Sequence, residues 1–365
     1  MGMQGYKLVD LLSLKESLLK DLRKNVDMKK VKKDEHSRRR PIFCGMTIHP
    51  GYGCSLGCVY CYVYDMGITT VTQSKLSGME LVYALLINKY FLPKETLIAV
   101  GSITEPFLPQ LEEKTYEFIE HVSTWLRNPI QISAKLCPSD PYRLLNFDKD
   151  ISFLMSFSSY SGVLEPKVAV KDRVMCLKEL SNVGIKTVGF IRPIVPRITE
   201  EDIETLLQGL KDAGVQGIVL GSLRVTPRVF RILSERFNLK DELLKRMLRK
   251  EFKDKSDQVS VFTNDIKRKI ESIALDVGLK TFPFACSANI ISHGMGCNLC
   301  SHGPCGNYTL RDEVSIYEYF EHRKVKMEIL EFSRKCIVIE VSKGRVRSED
   351  RMILETYYKV PVKVK

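Results

Sequence analysis

Short apolar runs alternate with helical stripes along the middle of the chain. PIFCGMTIH (Pro41–His49), ETLIAVGS (Glu95–Ser102), IQISAK (Ile130–Lys135), ISFLMSFSS (Ile151–Ser159), KTVGFIRPIVP (Lys186–Pro196) and GIVLGSL (Gly217–Leu223) read as buried strands. Helices fall between them. SGMELVYALLINKYF (Ser77–Phe91) opens on a Ser-x-x-Glu capping box, Ser77 with Glu80. EKTYEFIEHVSTWLR (Glu113–Arg127) follows, then a helix over 169–183 that stops at Gly184. Thr199 is expected to cap one more, running to about Ala213 with Gly214 just beyond. Such alternation means parallel βαβ units, so the class is α/β. Six units fit a partial (βα)6 barrel of the TIM type better than a closed eight-stranded one. An open doubly wound sheet satisfies the same periodicity.

The pattern changes at both ends. KLVDLLSLKESLLKDLRK, residues 7–24, carries leucines at helical spacing and leads into a basic arm. After Leu223 the alternation stops. Residues 227–253 read as basic helix, another helix begins at Asn264, and KCIVIEVSKGRVR and YYKVPVKVK form a strand-rich tail. The expected organisation is an arm over 1–40, a barrel over 41–226, and a helical, cysteine-rich, metal-binding extension over 227–365.

Composition narrows the class. No apolar run approaches a membrane span, and no signal-peptide core opens the chain, so no membrane partner and a cytoplasmic setting are expected. Eleven cysteines in such a compartment point away from a disulfide framework and toward metal ligation, since seven fall in two tight groups. The net charge of +12 is uneven: Lys20–Arg40 holds ten Lys/Arg against four Asp/Glu. Such a run can neutralise phosphates, or be a solvated arm.

The first cysteine group lies in HPGYGCSLGCVYCYVYDM (His49–Met66), where Cys54, Cys58 and Cys61 are spaced C-x3-C-x2-C after the first strand. A closed zinc site wants four ligands, and only His49 offers a fourth nearby. An iron–sulfur cluster with one open iron wants three thiolates. Barrel active sites sit at the carboxyl ends of the strands, where this loop begins.

This loop, with Tyr60 before its third cysteine, resembles the radical S-adenosylmethionine (radical SAM) superfamily. GSITEPFLPQLE (Gly101–Glu112) is similar to the G-T-x-T-D-P-Y-Q-P-x-E segment of its spore photoproduct lyase-related branch, with Glu105 and Phe107 where that branch usually has Asp and Tyr. ISAKLCPSDPYRLL (Ile132–Leu145) and Leu164–Thr199, with its LEP turn and R-P-I-x-P strand end, resemble later units of the same branch. The resemblance spans roughly residues 41–226. It implies a 4Fe–4S cluster on Cys54, Cys58 and Cys61, its fourth iron chelated by S-adenosylmethionine. Reductive cleavage of that cofactor would give a 5′-deoxyadenosyl radical that abstracts hydrogen from substrate. A reductase or ferredoxin would supply the electron. Gly101, Ser102 and Thr104 would meet the methionyl amine, and Glu105 the ammonium or ribose. Tyr60 would wall the cluster and adenine, Ser133 and Ser156 would line the lumen, and Lys135 or Arg192 would take the methionyl carboxylate.

A second group, Cys286, Cys297, Cys300 and Cys305, lies in ACSANIISHGMGCNLCSHGPCGNY (Ala285–Tyr308). It suits an auxiliary iron–sulfur cluster or a structural zinc, and is expected to close the open end of the barrel. Cys44 and Cys176 read as small core hydrophobes. Cys137, after the third strand, reads either as a thiol returning hydrogen to a product radical or as a loop residue without a role. The basic segments favour a nucleic-acid substrate, tRNA or DNA, with exposed nucleotides. A peptide or small-metabolite maturase is the alternative. A non-catalytic, metal-stabilised nucleic-acid binder is a third reading, for which an open coordination position would have no use.

Overall fold

A computed structural model describes residues 6–42, 45–147 and 151–365; Cys44 lies outside them. The six expected strands form: β1 (Met46–Ile48), β2 (Ile98–Val100), β3 (Ile130–Ala134), β4 (Ser152–Phe157), β5 (Lys186–Ile194) and β6 (Ile218–Ser222). They pair in chain order, all parallel, and a two-residue strand β7 (Thr281–Phe282) adds to β6. The result is a mixed α/β fold around a seven-stranded parallel sheet, a partial barrel.

Strand alternation sorts the side chains onto two faces. Ile98, Ile132, Phe153, Met155 and Ile191 point outward into the main core under the helices. Leu154, Val188, Phe190 and Val219 point to the concave face. The covering helices are α3 (Gly78–Ile87), α4 (Glu112–His121), α5 (Val170–Asn182), α6 (Ile203–Asp212) and α9 (Asn264–Asp276). The capping box of α3 is complete, with Glu80 N–H donating to Ser77 Oγ at 3.2 Å and Ser77 N–H to Glu80 Oε2 at 2.7 Å. Thr199 does not cap α6. Its hydroxyl donates to Ser158 O at 2.6 Å and accepts from Val195 N–H at 2.8 Å, and α6 begins after Asp202. The reach of Thr199 to the end of β4 displaces the local cap.

The basic segment is folded. Helix α2 (Met28–Lys33) is capped by Asp27, buries Val31, and joins α3 through Lys30 and Glu80 at 2.6 Å. Helix α1 (Leu8–Leu22) serves two cores: Leu18 and Leu22 pack with the barrel, whereas Leu8 and Leu11 pack with the carboxyl-terminal layer. That layer is a three-stranded sheet, β8 (Lys326–Phe332), β9 (Ile337–Lys343) and β10 (Val362–Val364), covered by α11 (Val314–His322) and α12 (Ser348–Tyr358).

The region after Leu223 departs from continuous helix. Helix α7 (Pro227–Phe237) and the shorter α8 (Lys240–Arg246) are followed by an extended segment, where Met247 bridges Val261. Helix α10 (Ala285–Ser292) then lies across the concave face: Ala288 packs with Leu154, Val188 and Phe190, and Gln131 Nε2 donates to Ala285 O at 2.7 Å. Among the described residues, no helix is long and apolar enough to cross a membrane.

Candidate active site

The three-cysteine loop leaves the carboxyl end of β1 and is held by its backbone. Val59 N–H donates to Leu164 O at 3.0 Å, Lys167 Nζ to Ser55 O at 2.7 Å, and Tyr64 OH to Cys54 O at 3.0 Å. Arg228 on α7 pairs with Asp65 at 2.7 Å and also reaches Cys61 O, while Thr226 donates to Asp65 at 2.7 Å. These contacts fix the chain and leave all three thiols outside any disulfide. Burial among Leu56, Leu108, Leu111 and Val168 pushes the Cys54 thiol up to about 11 and Cys58 to about 12, and raises Cys61. Thiols in this setting stay protonated unless a metal claims them. Among the described residues, Glu35, His36 and His49 form a group whose ligand atoms all lie within 4.8 Å of one another.

His49 does not complete the loop as a fourth ligand. Its Nε2 lies 2.8 Å from Arg39 Nη1, its ring packs on His36 and Tyr52, and its backbone N–H donates to His36 Nε2 at 3.2 Å. The folded basic segment has drawn it away from the cysteines.

Beside the loop lies a buried charged network. Lys135, just past β3, pairs with Glu165 and donates to Ser156 Oγ at 3.1 Å. Glu165 also pairs with Arg173 of α5 at 2.7 Å and accepts from Tyr60 OH. The Lys135 ammonium sits 5.5 Å from the centre of the Tyr60 ring. Burial alone would raise the Glu165 carboxyl, yet the Lys135 and Arg173 charges hold it down to about 2. Two cations on one carboxylate leave one positive charge in excess, facing the cysteine loop. Glu165, Arg173, Asp65 and Arg228 were not legible as site residues. The one hint was the acid of the LEP turn, set between apolar neighbours.

The β2 loop has a different part from the one its motif suggests. Gly101, at φ +92°, lies against β3: a Cβ there would sit 2.0 Å from Ser133 O, so only glycine fits. Thr104 spends its hydroxyl on Gly53 O at 2.5 Å, and Gly53 N–H donates to Ile103 O at 3.2 Å. Glu105 is buried and accepts from Lys135 N–H at 2.8 Å and Leu136 N–H at 3.3 Å, with burial pushing it up to about 7. Thr104 and Glu105 therefore brace the cysteine loop and the end of β3 instead of presenting free groups to a ligand. Ser102 is exposed and Ser133 half-buried. Ser156 bridges Lys135 to Arg192 O at 3.1 Å.

Two further expectations are corrected. Arg192 is exposed on the concave side of β5 and lies over the Phe190 ring at 5.4 Å, so burial does not oblige it to hold an anion. Cys137 is joined to Cys176 of α5 in a disulfide, which removes both the free thiol read at Cys137 and the unbonded core thiol read at Cys176. The two cysteines are 39 positions apart, and only the packing of α5 brings them together.

The second cysteine group sits at the opposite end of the barrel. Cys286, Cys297, Cys300 and Cys305 line a cavity with Gly45 and Leu97, which precede β1 and β2. Cys297 and Cys305 face one another in a two-residue antiparallel ladder, and Cys286 joins them around Leu97, Ile290 and Met295. Cys300 is exposed. The segment thus plugs the amino end of the sheet and does not cover the carboxyl end, because α10 threads the concave face from below.

No protein-family profile matches the chain, and no curated protein does. Among solved structures, a spore photoproduct lyase variant is 15% identical, with a TM-score of 0.50 over 62% of this chain and 71% of that one. The likeness is one of fold: this chain shares the architecture of that lyase. A second lyase variant, with a dinucleoside spore photoproduct, is 14% identical with a TM-score of 0.48 over the same shares, 62% and 71%. A methylornithine synthase is 15% identical with a TM-score of 0.36, over 88% of this chain and 94% of that one.

Proposed function

We propose that the chain is a radical SAM enzyme acting on nucleic acid, with Cys54, Cys58 and Cys61 holding a 4Fe–4S cluster. The observation that carries this reading is three free thiols in one braced loop, at the carboxyl end of β1 of this fold. A 4Fe–4S cluster held there would supply the electron for reductive cleavage of S-adenosylmethionine, the source of the hydrogen-abstracting species. The chain's own residues do the positioning. Asp65, Arg228 and Lys167 hold the loop backbone that carries the three sulfurs. Lys135, with its excess of positive charge, is the partner for the methionyl carboxylate, and Ser156 fixes its direction. Tyr60, locked by Glu165, shields that pair from water. The net charge of +12 favours a polyanionic substrate over a peptide.

Cys286, Cys297 and Cys305, with Cys300 at the rim, are proposed as a second metal site. Its place at the amino end of the sheet supports a role in holding α10 and the carboxyl-terminal layer to the barrel, by zinc or by a second cluster.

Anaerobic reconstitution tests the main reading. The reduced protein should turn S-adenosylmethionine into 5′-deoxyadenosine, and Cys58→Ala should form none. Iron-loaded wild type that leaves S-adenosylmethionine intact refutes the assignment.

A further inference from the structure

The concave face carries an open cavity of about 650 Å³, bounded by β1, β2, β3, β5, β6 and α10 and reaching Gly45, Leu97 and Cys286 toward the amino end of the sheet. That lies within the roughly 300–1,000 Å³ usual for small-molecule and nucleotide-sized sites. Three cations line it, Arg192, Arg224 and Lys267, and no Asp or Glu does. Their neighbours behave otherwise. Arg228 pairs with Asp65, Arg246 with Asp265 and Arg249 with Asp257, each at 2.7 Å, and Lys135 pairs with Glu165. Among the described residues no ion pair joins Arg192, Arg224 or Lys267 to a carboxylate. Lys267 has only the more distant charge of Glu271 one turn along α9, and Arg192 and Arg224 have no carboxylate partner among the described residues, so the cavity presents net positive charge to an anion.

Two more observations define the ligand. Phe262 and Phe284 line the same cavity and are 45% and 44% exposed, unusual for phenylalanine. Flat apolar rings beside unpaired cations suit a base and its phosphate. The pocket is also built for Arg192: a Cβ at Gly221 would lie 2.6 Å from Arg192 Cγ, so glycine there lets the arginine stem cross β6. Asn289 lines the floor, and its buried Oδ1 has no donor among the described residues. Ser156, bonded to both Arg192 O and Lys135 Nζ, links this cavity to the candidate site one strand away.

We infer that this cavity receives a nucleotide of single-stranded nucleic acid, with Arg192, Arg224 and Lys267 gripping its phosphates and Phe262 and Phe284 stacking its base. The inference rests on the radical SAM reading for what happens to that nucleotide, and on the cavity alone for its binding. It moves Arg192 from the cofactor to the substrate.

The test is fluorescence anisotropy of the full chain with short labelled single-stranded RNA and DNA of one sequence, across a salt series. Binding of either supports the inference. The Arg224→Gln/Lys267→Gln double variant should bind about tenfold more weakly, with a log K–log salt slope shallower by about 0.7 per cation removed. Phe262→Ala should weaken binding by roughly tenfold with the slope unchanged, since stacking carries no counterions. Arg224 is exposed and Lys267 half-buried, so the variants should fold, which a thermal melt checks. Wild type that binds neither strand, or folded variants with unchanged affinity and slope, overturns the inference. A chain that forms 5′-deoxyadenosine but ignores both strands sinks this inference alone. A chain that binds through these residues but never cleaves S-adenosylmethionine sinks the proposed function and leaves the cavity assigned.

Discussion

Glu165→Gln removes the charge at the centre of the buried network while keeping the side chain's shape. The Glu165 side chain is 0% exposed, Arg173 2% and Lys135 13%, so losing the carboxylate leaves two cations largely without water. Two routes give the size of the loss. The carboxyl falls from 4.5 to about 2, which at about 1.4 kcal/mol per unit is about 3 kcal/mol. Breaking a buried ion pair by deleting one partner costs about 3–5 kcal/mol. The sign follows from the depressed value: this stability is present above pH 4.5 and is lost as pH falls toward about 2. Urea denaturation at neutral pH should therefore show a loss of about 3–5 kcal/mol for Glu165→Gln, with the m-value unchanged. Lys135→Met in the Glu165→Gln background should cost less than it does alone, a coupling of about 1–3 kcal/mol. Single variants that lose under about 1 kcal/mol, or that add within about 0.5 kcal/mol, would refute the network.

Other outcomes follow from separate parts of the molecule. Cys58→Ala and Cys297→Ala should each lose the metal of one site only, as iron and zinc counts will report; if either variant loses both, the two groups are not independent sites. Gly101→Ala forces a Cβ to 2.0 Å from Ser133 O at a positive φ, and should destabilise by roughly 2–4 kcal/mol in the same urea assay; a neutral effect would mean the β2–β3 contact is misplaced. Burial, with the Arg39 and His36 charges, holds His49 down to about 3, below its usual 6.5. The unfolded chain then binds a proton that the folded one refuses, so stability falls on acidification below pH 6.5, by at most about 1.4 kcal/mol per unit. His49→Asn should flatten that slope between pH 6 and 4, and parallel slopes would count against it. Alkylation without reductant followed by peptide mapping should recover Cys137 and Cys176 as one linked pair; finding both alkylated would remove the disulfide.

The barrel was legible because each strand carries its own signal. A run such as Ile151–Ser159 is apolar on both faces, which only a covered parallel sheet demands. The cysteine loop stands out in the sequence because three thiols fall within eight residues. What was not legible depends on distance along the chain. Lys135 and Glu165 are 30 positions apart and meet only because β3 and β4 are neighbours. Helix α12 lay hidden between two strands, its buried face made from Ile353, Leu354, Tyr357 and Tyr358. The second cysteine group declared its donors but not its end of the barrel, which α10 decides by crossing the concave face.

Helix α1 places a constraint on how the molecule is manufactured. Tyr357 OH donates to Tyr6 O across 351 positions, and Leu8 and Leu11 pack among Tyr357 and Tyr358. On the ribosome this helix emerges long before half of its partners, which follow about 350 positions later. Until they arrive its leucines are exposed, a sticky leader that invites a chaperone or a neighbouring nascent chain. Once the two segments meet, the early helix becomes a clasp, and assembly of this layer becomes the step that closes the fold around it.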